Sequence, residues 1–127
     1  MKRVKHISDA EKGFRMRLEN AVSKKFGISP KNVETAGNSL LHPNTFAIGS
    51  RKYTKFSCQA IAIVHKDFDG NIVDTYGISV TDLMNVMRKV EKDGLKLMTN
   101  DQSAFDDAGT LVSFPFSYLN DYKITLE

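Results

Sequence analysis

Of the 127 residues in this chain one is cysteine, three are proline and none is tryptophan. A lone cysteine, Cys58, excludes an intramolecular disulfide and any multi-cysteine zinc site, and its place beside an apolar stretch suits a buried thiol. A reducing, cytoplasmic setting is therefore expected. No apolar run reaches 18 residues, so no membrane-spanning helix is expected. The start, Met1-Lys2-Arg3-Val4-Lys5-His6, is basic like the leading part of a signal peptide, but no apolar segment follows it. The chain has no phosphate-binding P-loop, no dinucleotide glycine pattern and no internal repeat. His6, His42 and His65 have no metal-ligand spacing. Cys58 and His65 are close in sequence, but seven positions along a strand would put them on opposite faces, about 23 Å apart. No cofactor and no metal site is expected, and nothing in the pattern requires catalysis.

Acid is the other scarcity, and it is local. Residues 1–66 hold 13 Lys or Arg against four acids, and residues 67–127 hold five against 11, so the halves carry +9 and −6 within a total of +3. From Thr35 through Lys66 there is no acid at all. A basic half raises the expectation of a polyanionic partner, DNA or RNA. The bland alternative is that the two halves attract one another within a compact domain.

What is present reads as one globular α/β (α+β) domain with a short basic N-terminal tail. At this length the chain can bury roughly two thirds of its unfolded surface. Its organising stretch is residues 57–78. Ala60-Ile61-Ala62-Ile63-Val64 is apolar on both alternating faces, as a strand covered on both sides must be. Asp69-Gly70-Asn71 supplies a turn and Ile72-Val73 resumes a strand, which makes a hairpin at the centre of a mixed sheet. Two amphipathic helices are expected to pack on that sheet. The first runs from Asp9 to Phe26, with Ser8 and Glu11 as a capping box, Phe14, Leu18, Ala21 and Val22 as its stripe, and Gly27 as its stop. The second is capped by Thr81, with Leu83, Val86, Met87 and Val90 as its stripe and Gly94 beyond its end; Met84 and Met87 read as core or rim packing.

The remaining segments carry weaker patterns. Ser29-Pro30 starts a single helical turn through Val33. Residues 34–55 are punctuated by Gly37, Pro43 and Gly49, and at least one strand is expected, at Thr45 to Ile48. Leu95 to Met98 alternates like an edge strand, Thr99 to Gly109 reads as an acidic loop, and Thr110 to Phe116 reads as a strand ending at Pro115, followed by a turn at Ser117 to Leu119.

Candidate site residues come from the basic half. Arg15, one turn from Lys12 on the first helix, and Arg51, Lys52 and Lys55, which flank Tyr53 before the organising strand, are the residues expected on nucleic-acid phosphates. Asp67, Asp69, Asn71 and Asp74 offer clustered oxygens, but a calcium loop also needs a glutamate at its twelfth position and flanking helices, which are lacking. The second reading is a small protein-binding or inhibitor module acting through the acidic half or the Leu95 to Met98 edge.

The order of organising strand, Asp-Gly-Asn hairpin, Ile78-Ser79-Val80-Thr81-Asp82-Leu83 entering a helix, and Ser113-Phe114-Pro115-Phe116-Ser117-Tyr118-Leu119 resembles the C-terminal half of small restriction-endonuclease-like domains of the PD-(D/E)xK superfamily. In that family a Pro-Asp and an acid-x-Lys pair hold divalent metal at the scissile phosphate. The positions here are Pro43-Asn44 and Ser50-Arg51-Lys52: the lysine is kept and both acids are absent. An amide and a hydroxyl lack the charge that recruits Mg²⁺. The resemblance therefore implies a nucleic-acid-binding domain without nuclease activity. A metal-dependent nuclease completed by acids from elsewhere is the third reading.

Overall fold

The structure, a computed structural model, describes residues 9–38, 45–50, 57–95, 98–100 and 110–126. They form a single α+β domain built on a mixed sheet. In chain order the elements are helix α1 (Asp9–Phe26), a 3₁₀ turn (Pro30–Asn32), strands β1 (Val33–Gly37), β2 (Thr45–Ser50), β3 (Ala60–Lys66) and β4 (Ile72–Ser79), helix α2 (Val80–Lys92), strands β5 (Met98–Asn100) and β6 (Thr110–Pro115), and a 3₁₀ segment (Phe116–Tyr122). The strand order is β4-β3-β1-β2-β6-β5. Among the described residues only β1 and β3 pair in parallel; every other neighbouring pair is antiparallel.

β3 is interior and bonded on both edges, with Ala36 of β1 and Tyr76 of β4 both level with Ile63. Its two-faced apolar pattern follows from cover on both sides. Ile61 and Ile63 enter a cluster with Tyr76, Ile78, Phe114, Phe116, Leu119 and the α2 stripe Leu83, Val86, Met87 and Val90. Ala60, Ala62 and Val64 enter a second cluster with Val33 and the α1 residues Leu18 and Val22. The hairpin, expected at the centre of the sheet, takes one flank instead: β3 lies second and β4 outermost, because β1, and not a further strand beyond β4, adds the next partner. Asp67 closes its turn. The Asp67 carboxylate accepts from the Asp69 and Asn71 amides at 2.9 and 2.8 Å, and Gly70 turns with φ 84°. That positive φ is why glycine stands there.

The outer edge of β4 is covered at 75–76 by the C-terminal segment. Ile124 donates to the Thr75 carbonyl at 2.8 Å, its own carbonyl accepts from the Thr75 hydroxyl at 2.5 Å, and Lys123 bridges to Tyr76. Pairing of this kind blunts an edge that could otherwise template other strands.

Three local expectations are corrected. The segment after the 3₁₀ turn is a strand from Val33, not a helical continuation, because Val33 to Gly37 pairs with β3 along its whole length. α2 starts two residues earlier than a Thr81 cap would place it: Ser79 is its N-cap and its hydroxyl accepts from Asp82 N at 3.1 Å, while Thr81 lies exposed inside the helix. The edge strand is β5 at Met98–Asn100, with Leu95 outside it. The expected Ser8 cap, and residues 101–109 of the acidic loop, lie outside the described residues.

Candidate nucleic-acid interface

α1 changes character along its length. In its second half Leu18 and Val22 are fully buried against Ala60, Ala62 and Val64. In its first half the side turned to the sheet presents Glu11, Phe14 and Arg15, and a groove of about 400 Å³ opens there. Thr35 to Asn38 at the end of β1, Val64 and Lys66 at the end of β3, and Ile72 at the start of β4 complete its walls. The site therefore lies at the carboxyl ends of the parallel pair β1 and β3, where ligands of open α/β sheets collect.

Two polar side chains of the wall are committed to structure. The Asn38 amide donates to the Lys66 carbonyl at 2.6 Å and accepts from the Lys66 backbone N–H at 2.8 Å, so one side chain continues the β1 ladder by a rung. Thr35 donates to Glu19 on α1 at 2.5 Å. Arg15 and Lys66 differ from these: among the described residues neither has an ion-pair partner. The Arg17 guanidinium lies 6.0 Å from the centre of the Phe14 ring, which adds a third cation beside the groove's aromatic.

Of the residues expected on phosphates, Arg15 is exposed and lines this groove. Arg51, Lys52 and Lys55, and Pro43 and Asn44 of the family comparison, lie outside the described residues. Lys66 joins Arg15 although it follows it by half a domain; only the parallel pairing of β1 and β3 brings them together, and that pairing has no local sequence signal. Its place in the acid-free stretch was the available hint.

Other candidates for chemistry resolve into packing. Cys58 is half-buried against Glu34, with its sulfur 3.4 Å from the carboxylate. Burial, and then the hydrogen bond and charge of Glu34, push the thiol up to about 12, far from a reactive thiolate. His65 stacks on Phe116 at 4.0 Å between ring centres. The expectation that Cys58 and His65 occupy opposite faces is corrected: both border the α2-side cluster, at opposite ends of β3, because Ser57 to Gln59 form a bend instead of extended strand. Among the described residues no three His, Cys, Asp or Glu side chains group as metal ligands do, and no helix is long and apolar enough to cross a membrane.

No protein-family model matches this chain, and neither the curated proteins nor the solved structures contain a match to it.

Proposed function

We propose that this protein binds nucleic acid non-catalytically, with the groove between α1 and the β1 and β3 ends as part of the contact surface. The observation that carries the reading is the convergence of Arg15 and Lys66, from distant parts of the chain, on one open groove with no ion-pair partner for either among the described residues. Guanidinium and ammonium groups held at the lip of a cleft raise the local concentration of a polyanion. The acid-free stretch from Thr35 to Lys66 and the exposed Lys12 and Arg17 of α1 support the same reading.

The test is the salt dependence of binding to labelled DNA and RNA. Affinity should fall steeply with salt, and Arg15→Gln or Lys66→Gln should each reduce the slope of log K against log salt by about 0.7 on single strands or 0.9 on duplex. Replacing Arg51, Lys52 and Lys55 together should remove about 2.7 from the duplex slope if all three touch phosphates. Unchanged slopes would remove these residues from the interface.

A protein-binding module is the second reading, favoured by one observation. Phe68, Ile72 and Val73 are exposed at 69%, 46% and 51% around one hairpin tip. A complex that survives nuclease treatment and is lost on Phe68→Asp would support it.

A further inference from the structure

We infer that the groove takes one unpaired nucleotide of a single strand and does not discriminate among bases; this rests on the nucleic-acid reading above and narrows its substrate class. The shape argues first. Duplexes are read by convex elements, a helix or a two-stranded ribbon that enters a groove of the nucleic acid. Here the basic residues surround a concavity of about 400 Å³, within the span of small-ligand sites, roughly 300–1,000 Å³. A concave site suits a base that has left the stack.

The lining argues second. Phe14, Val64 and Ile72 give an aromatic and apolar interior against which any base can lie, since every base has a π-face. Arg15 and Lys66 supply positive charge for the flanking phosphates, and among the described residues they outnumber the one carboxylate of the lining, Glu11. The lack of base readout follows from the polar groups. Among the described residues Thr35 and Asn38 are the hydroxyl and amide of the lining; Thr35 is committed to Glu19, and both polar atoms of the Asn38 side chain are committed to the Lys66 backbone. Among the described residues no uncommitted amide is left to address a base edge, and with Arg15 and Lys66 engaged by the flanking phosphates, stacking and charge remain.

The experiment compares four labelled probes at one low salt concentration: oligothymidylate, a mixed-sequence single strand, an oligonucleotide of abasic sites, and a duplex of equal length. The two base-bearing single strands should bind alike and about tenfold or more tighter than the abasic strand or the duplex. Phe14→Ala should abolish that advantage. Because Phe14 also packs on the α1-side cluster, the exposed Ile72 provides a second variant. The chain contains no tryptophan, so Ile72→Trp gives a clean reporter whose emission should be quenched by the base-bearing strands and not by the abasic one. Equal affinity for all four probes with no quenching, or a strong preference for one base, would overturn this inference while leaving electrostatic binding in place. Failure to bind any probe at low salt would remove both and favour the protein partner.

Discussion

Under α2 the sheet is paved with Ile61, Ile63, Tyr76, Ile78 and Phe114, whereas under α1 it offers Val33, Ala60, Ala62, Val64 and Gly77. The first surface is filled by bulk, and α2 answers it with a four-residue stripe. The second is filled by proximity: a Cβ on Gly77 would lie 2.9 Å from a Val22 methyl and 2.3 Å from the Ile124 side chain. Small floor residues let α1 come close with only Leu18 and Val22 fully buried. Where its core side turns to Glu11 and Arg15, the close contact ends and the groove begins. The teaching is that one sheet can hold one helix as a core element and the other as a helix half committed to the core and half to a surface.

The comparison can be broken most severely at β3. Ile63→Asp buries a carboxylate in an apolar cluster, and the variant should fail to fold; a cooperative melt by circular dichroism would refute the role given to β3. Phe114→Ala, which trims the bulky side, should cost about 3–5 kcal/mol in denaturant unfolding. On the close-packed side the sensitive change is enlargement: Gly77→Ala should cost about 1–3 kcal/mol, as overpacking does. If Gly77→Ala is neutral, Val22 and Ile124 have room to withdraw and α1 is not held by close contact. Ser79→Ala removes the α2 cap and should cost about 1 kcal/mol.

The smallest effect concerns Cys58. Burial and then Glu34 hold its folded pKa near 12, above the value of 9.0 for an unperturbed thiol. The folded state therefore binds the thiol proton more tightly than the unfolded chain does. This contribution to stability is complete below about pH 9 and lost as pH rises towards 12. Alkylation should be slow in the native protein at pH 8 to 9 and fast in denaturant. Glu34→Gln should speed the native reaction.

The features legible from sequence were those with local patterns. β3, the hairpin turn, the α2 stripe, the span of α1 and the stop of β6 at Pro115 each depend on neighbours within a few residues. β1 was not legible, because Val33-Glu34-Thr35-Ala36-Gly37 sets two strand formers, Val33 and Thr35, among three disfavoured residues and owes its conformation to a parallel partner far along the chain. The groove shares that dependence. Arg15 could be chosen from its helix, while Lys66 became its neighbour only through β1. Ser79 and Thr81 are both cap residues and local sequence does not choose between them; the choice is set by where β4 stops pairing with β3, at the Ala60 level.

Asn38 also carries a chemical clock. An asparagine followed by a small residue such as Ser39 can lose ammonia when the next backbone nitrogen attacks its side-chain carbonyl, and hydrolysis of the resulting ring leaves a carboxylate. In the folded protein the amide is clasped by both backbone groups of Lys66, which holds it away from that attack. In the unfolded chain it is unprotected. A carboxylate formed there has no N–H to give the Lys66 carbonyl and places two oxygens face to face. Each episode of unfolding thus exposes the groove wall to an irreversible edit, and in aged protein the rung between Asn38 and Lys66 should be lost before the secondary structure is.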